Sequence, residues 1–139
     1  MGNEVVRSRS LVQDWTTVPA EKIANGIRRQ MVIGEDMMIC RSTLDPFVAT
    51  EVRSHSYDQM TLVMKGKIRF VIDGLAVIGA PGDVLHFPPD TEHGATMLDE
   101  EVVLIDILSP LRDDFFVTNS ESEISTNGNS VDGDVRCIP

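Results

Sequence analysis

Residues 81–94 read Pro81-Gly82-Asp83-Val84-Leu85-His86-Phe87-Pro88-Pro89-Asp90-Thr91-Glu92-His93-Gly94. Two turn clusters, Pro81-Gly82-Asp83 and Pro88-Pro89-Asp90, bracket a stretch too short for a helix and long enough for a strand. The same rhythm continues outward. Residues 75–78 and 68–72 flank Asp73-Gly74, and the apolar run 59–64 precedes Lys65-Gly66-Lys67. Further back, residues 26–33 and 37–44 flank Gly34-Glu35-Asp36, a hairpin signal. Towards the C-terminus, residues 102–108 end at Ser109-Pro110. Seven short β segments separated by turn signals predict an all-β fold, an antiparallel sandwich or barrel. Residues 18–25 are expected to add one helical turn.

The length, 139 residues, suits about one domain. Apolar residues make up 42%, and 12 Lys and Arg stand against 22 Asp and Glu. That balance supports a packed core, and the net charge of −10 argues against nucleic acid or an anionic membrane as partner. No apolar run approaches the roughly 18 residues of a membrane span. Residues 1–10 carry early charge and no apolar stretch of the signal-peptide kind. Val6 breaks a myristoylation pattern, and Cys137 stands one place short of a prenylation box. The expectation is a soluble cytoplasmic protein.

Composition divides the chain into an N-terminal extension (1–9), a folded unit (10–116) and a polar tail (117–139). Within the tail, Glu121, Glu123, Asp132 and Asp134 against Arg136 leave −3 of the total −10, with little apolar material to anchor it. It reads as flexible. Cys40, in an apolar run, reads as a small buried hydrophobe, and a bond to Cys137 stays open. Trp15 and Phe47 read as packing residues. The run Gln59-Met60-Thr61-Leu62-Val63-Met64 is apolar on both faces. One face fills the barrel, and Met60, Leu62 and Met64 need a cover, so a homodimer is expected.

Three histidines exist, His55, His86 and His93. The first lies in Arg53-Ser54-His55-Ser56-Tyr57-Asp58-Gln59, closed by Gly66, and the last ends the stretch quoted above. These stretches resemble the two sequence motifs of the cupins. The second, P-G-D-x(4)-P-x(4)-H, is nearly complete. The first, H-x-H-x(3,4)-E/Q-x(6)-G, has Arg53 in place of a histidine and Gln59 at the carboxylate position. The resemblance implies a double-stranded β-helix, the jelly-roll barrel, with a metal at its mouth. His86 reads as a strand residue on the opposite face.

On a straight strand His55 and Gln59 would stand roughly 13 Å apart, too far to share a metal whose bonds are about 2 Å. Shared ligation therefore requires residues 54–58 to curl before the strand begins, which their Ser and Asp content allows. Arg53 cannot ligate. It either clamps a substrate carboxylate or pairs with Asp58 or Glu51 to close the lip, and Glu51 is a spare carboxylate. The neutral set takes Ni, Zn, Fe or Mn, or, with Arg53 in a ligand's place, no metal.

Asp106 alternates with Val102, Leu104 and Leu108, so it faces inward if they do, and a buried carboxylate needs a partner. Arg112, beyond Ser109-Pro110, is the natural one, as a structural ion pair or a base–cation pair. Asp106-x-x-Ser109-Pro110-x-Arg112-x-Asp114, with Gly26-Ile27-Arg28-Arg29, resembles the small single-domain pectin-degradation cupins over residues 11–116. That family linearises unsaturated uronates. By resemblance, Asp106 and Arg112 are catalytic, His55, Gln59 and His93 are metal ligands, and Arg53, Tyr57 and Leu108 face the substrate. Tyr57 and Leu108 are departures, standing where a histidine and an aromatic are usual.

The expected activity is metal-assisted isomerisation, a ring opening of a small carboxylated or polyoxygenated molecule. A base takes a hydroxyl proton and an acid protonates carbon, with Asp106 as shuttle and Arg112 or Arg53 on the sugar carboxylate. Two alternatives stay open: a metal-free cyclase or isomerase of a polyketide-type pathway, and a non-catalytic ligand-binding cupin.

Overall fold

The computed structural model describes residues 6–7 and 14–110. Its strands are β1 (Val6–Arg7), β2 (Glu21–Ala24), β3 (Ile27–Ile33), β4 (Met38–Leu44) and β5 (Asp58–Lys65). They continue with β6 (Ile68–Ile72), β7 (Leu75–Gly79), β8 (Val84–Phe87), β9 (His93–Met97) and β10 (Val102–Ser109). The larger sheet runs β1-β3-β4-β10-β5-β8, and the smaller β7-β6-β9. Two short strands share one edge of β3: β2 pairs antiparallel with its first half, β1 parallel with its last residues. The other pairings between these strands are antiparallel.

Alternation fixes which side chains enter. On β3, Ile27, Arg29, Met31 and Ile33 are buried; on β4, Met38, Cys40, Ser42 and Leu44; on β10, Val102, Leu104, Asp106 and Leu108. The inner faces of both sheets meet in one apolar core, with Leu44, Val63 and Leu104 from the larger against Ile68, Phe70 and Met97 from the smaller. Each such side chain contributes roughly 1.5–3 kcal/mol by leaving water. The result is the all-β fold that the turn rhythm predicts, in the double-stranded β-helix form that the cupin resemblance implies. Among the described residues no helix is long and apolar enough to cross a membrane.

The turns obey local chemistry. Asp73 and Gly74, at φ 48° and 83°, make the left-handed pair that joins β6 to β7, and an Asp-Gly sequence tolerates both angles. Gly66 combines φ 78° with close approach, since a Cβ there would collide with the Glu101 carbonyl oxygen, whereas at Gly74 nothing lies within 4 Å. Gly66→Ala therefore costs about 3 kcal/mol in chemical denaturation and Gly74→Ala about 1 kcal/mol, the difference being the clash.

Two expectations are corrected. Residues 18–25 hold no helical turn: Glu21–Ala24 is a strand, and a 3₁₀ turn falls earlier, at Trp15–Thr17. A single turn fixes many torsions for one hydrogen bond, so pairing with β3 across the Asn25-Gly26 turn wins. Phe47 is not a packing residue. It is 73% exposed, at φ 65° in the turn after Pro46. Trp15 is half-buried and Cys40 buried. Arg112, Cys137 and the tail 117–139 lie outside the described residues.

On the outer face of β5, Met60 is 42% and Met64 54% exposed, with Leu62 half-buried between them. Ile107 lies opposite Met60, and Ile39 opposite Ile107, so an apolar row crosses β5, β10 and β4. An apolar groove of about 340 Å³ lined by Val32, Met37, Ile39 and Ile107 continues it.

Candidate active site

Along three neighbouring strands one polar side chain interrupts the inward apolar row. Arg29 follows Ile27 and precedes Met31 on β3; Ser42 separates Cys40 from Leu44 on β4; Asp106 separates Leu104 from Leu108 on β10. With Gln59, Thr61 and His93 they form a buried polar set between the main core and a second cluster of Met31, Ile33, Met38, Cys40 and Leu108.

Asp106 is fully buried, 0% exposed, and faces Thr61 across the β10–β5 ladder. The Thr61 hydroxyl donates to Asp106 Oδ1 at 2.6 Å, and Gln59 Nε2 donates to the same oxygen at 3.3 Å. Burial pushes the carboxyl up to about 8, against the lowering effect of those two hydrogen bonds. Burial therefore favours the protonated form of Asp106. Its second oxygen, Oδ2, is buried with no hydrogen-bond partner among the described residues.

His93 opens β9. Its Nδ1 lies 3.0 Å from the Thr91 carbonyl, which can only accept, so Nδ1 carries the hydrogen and Nε2 the lone pair. Burial holds its pKa below the usual 6.5, with the Thr91 hydrogen bond opposing, so the ring is neutral. Nε2 is buried and has no hydrogen-bond partner among the described residues. Phe87 stacks on the His93 ring at 4.3 Å, and His55 meets it edge-on at 5.2 Å. Tyr57 stacks on His55 at 4.7 Å, nearly parallel at 9°. The two imidazoles are thus packed between two aromatic rings.

The backbone brings these rings together. Arg53 and His93 exchange both backbone hydrogen bonds, at 2.9 and 2.8 Å, and the Asp90 amide donates to the His55 carbonyl at 2.6 Å. Ser56 and Tyr57 form a bend before β5 starts at Asp58, which is the curl that shared ligation demands. Gln59 is buried directly opposite Phe87, the ring on which His93 stacks, and its Oε1 has no hydrogen-bond partner among the described residues.

His93 Nε2, on a ring edge-on to His55, and Gln59 Oε1 are buried lone-pair atoms of the kind a borderline divalent metal takes. The set is neutral, and among the described residues no three His, Cys, Asp or Glu side chains cluster as a metal cage. Arg53 turns to Glu51 at 2.9 Å, closing the lip, and Glu51 is exposed, not a spare ligand. His86, on the outer face, takes Asp58 Oδ1 at 2.6 Å. Leu108 and Tyr57 both pack into the second apolar cluster.

Sequence reasoning passed over Thr61, Ser42 and Arg29. Their signal was alternation: each stands at an inward position, Arg29 and Ser42 between apolar residues and Thr61 between Gln59 and Val63. Arg29, only 2% exposed, lies 3.5 Å from Glu21 Oε1 on β2.

Residues 41–108 match the family model of the cupin domain, and the chain belongs to the cupin family. It is similar to the pectin degradation protein KdgF of Dickeya dadantii (strain 3937), at 33% identity over 109 residues, 77% of this chain and 97% of that protein. Among solved structures, KdgF from Halomonas sp. superposes with a TM-score of 0.64 at 30% identity, over 68% of this chain and 88% of that one. An RmlC-like cupin from Shewanella frigidimarina NCIMB 400 superposes with a TM-score of 0.71 at 28% identity, over 78% of this chain and 96% of that one.

Proposed function

We propose that this cupin is an isomerase that opens the ring of an unsaturated uronate, or a closely similar carboxylated sugar, by carrying one proton from a hydroxyl to a carbon through Asp106. The observation that carries the reading is a fully buried carboxyl, Asp106, whose surroundings favour its protonated form and whose Oδ2 has no hydrogen-bond partner among the described residues. The similarity to pectin-degradation proteins supplies the substrate class.

The proton count closes without a co-reactant. The C1–O5 bond breaks as C1–OH becomes C1=O, the C4=C5 enol ether becomes a C5 ketone, and C4 gains the hydrogen that O1 loses. Asp106 delivers the proton to C4 and recovers one from O1. Phe87 and Tyr57 hold the two imidazoles in place, and Arg112 binds the sugar carboxylate. His55, Gln59 and His93 would hold a divalent metal, which when bound polarises the developing carbonyl or enolate oxygen.

Loss of the ene-carboxylate ultraviolet absorbance of a 4,5-unsaturated galacturonate monomer tests the reading. Acceleration over buffer supports it, and an unchanged decay after supplementation with Ni, Zn, Fe and Mn refutes it. A metal-free route has one observation behind it, Arg53 bound to Glu51 at a ligand's place. In that case His55→Ala keeps most of the activity.

The same reading assembles the protein as a homodimer through the apolar row of Met60, Ile107 and Ile39. Light scattering should give twice the chain mass for wild type and a monomer for Met60→Glu. A monomeric wild type refutes the assembly.

A further inference from the structure

Cys40 is disulfide-bonded, and it is the one cysteine among the described residues. The chain has a single other cysteine, Cys137, which lies outside them. Cys40 points into the barrel: it is 0% exposed, between Met38 and Ser42 on the inward face of β4. Its ladder neighbours are Met31 on β3 and Asp106 on β10. With a strand on either side and its side chain turned inward, its sulfur is reached only from the interior. Disulfide geometry then holds the partner's Cα within roughly 7 Å of the Cys40 Cα. The Cα of Asp106 stands about 5 Å from Cys40 across the ladder. The segment that carries the second sulfur therefore enters beside Asp106.

The surroundings suit such a segment. Cys40 belongs to the apolar cluster of Met31, Ile33, Met38 and Leu108, which lies beyond the polar set from the main core. Tyr57 packs on that cluster and stacks on His55. Cys137 is followed by Ile138 and Pro139, apolar residues that match the cluster. Reach is no obstacle. β10 ends beside the start of β4, with Leu108 opposite Met38, two residues from Cys40. Residues 111–136, at up to about 3.3 Å each, span far more than the return distance.

We propose that the bond joins Cys40 to Cys137 of the same chain, and that forming it draws the C-terminal segment over the mouth and closes the site. The inference rests on the proposed isomerase reading for its effect on turnover, not for the bond or the closure. The oxidant is a low-molecular-weight disulfide. The two thiols become one S–S bond, and their two electrons and two protons leave on the oxidant as two new thiols. A dithiol reductant runs the exchange backwards and opens the mouth. A reducing compartment therefore keeps the site open, and oxidising conditions close it.

Glutathione disulfide and dithiothreitol, each equilibrated with the full-length protein, prepare the two states. Alkylation in denaturant followed by peptide mass mapping should find Cys40 linked to Cys137 in a chain of monomer mass after oxidation, and both thiols alkylated after reduction. Diethyl pyrocarbonate should modify the half-buried His55 at least tenfold more slowly in the oxidised protein, while His86 on the outer face changes less than twofold. Turnover of the unsaturated galacturonate monomer should rise at least tenfold on reduction. In Cys137→Ser, which leaves the barrel residues intact, turnover and His55 modification should ignore the redox state. A covalent dimer, glutathione held on Cys40 alone, equal His55 modification in the two states, or turnover that reduction leaves unchanged overturns the proposal. A Cys40–Cys137 bond that slows His55 modification in a protein with no uronate turnover in either state supports the closure and overturns the functional reading instead.

Discussion

Asp106→Asn should abolish turnover and, in the metal-free protein, raise the melting temperature above that of wild type. The loss should reach about a hundredfold to ten-thousandfold, because an amide cannot exchange a proton in this way. The gain in stability follows from the same burial. In the folded protein the carboxyl is raised from 3.8 to about 8, so the folded state holds a proton that the unfolded chain releases. Stability is full below the unfolded value, falls as pH rises from about 4, and levels off above about 8. The amide that replaces the carboxyl does not titrate, so the melting temperature of the variant should exceed that of wild type by a margin that grows over this window. The margin should be on the order of 10 °C at its top. A parallel pH profile for the two proteins would show that Asp106 is charged in the folded state, and neutral proton donation would fall with it.

The second large effect belongs to His93. His93→Ala should drop bound metal from near one equivalent to below about a tenth and cut turnover at least a hundredfold. It also removes a buried ring that stacks on Phe87, so it should cost about 2–3 kcal/mol in denaturation. His55→Ala is the cleaner control, since His55 is only half-buried. It should lose metal with little change in stability. Elemental analysis of the purified protein beside both variants reads the outcome. Metal retained by both variants would place the ion elsewhere, and full activity in metal-free His55→Ala would establish the metal-free route.

Much of this architecture was legible beforehand, for identifiable reasons. Asp73-Gly74 and Lys65-Gly66-Lys67 punctuate strands because their backbone angles need glycine or aspartate, and the strands β6 and β8 begin and end where the turns require. The inward face of β10 was legible because Val102, Leu104 and Leu108 leave Asp106 one direction to point. The strand β2 was not, since its alternation is weak and its partner β3 lies on the far side of a two-residue turn. Phe47 misled because hydrophobicity says nothing about a turn that points outward.

The approach of His55 to His93 was legible, and the hydrogen bonds around Asp106 were less so. The bend at Ser56 and Tyr57 meets the condition that residues 54–58 curl before the strand, since two donors on one straight strand cannot share a metal. The hydrogen bonds of Asp106 to Thr61 and Gln59 were missed. The expected partner, Arg112, lies outside the described residues, which themselves supply a hydroxyl and an amide from the neighbouring strand. Neutral donors in a dry interior favour the protonated carboxyl. Thr61 looks like any β-branched strand residue until its cross-strand partner is known.

The central claim is that Asp106 places a proton on carbon, and deuterium reads it directly. The unsaturated galacturonate monomer would be incubated in D₂O with wild type and with Asp106→Asn, and the product followed by proton NMR. Wild type should convert the vinylic C4–H into a C4 centre that carries one deuterium on a single face, and Asp106→Asn should leave the vinylic signal decaying at the buffer rate. Deuterium spread over both faces, or equal conversion by the two proteins, would contradict the claim.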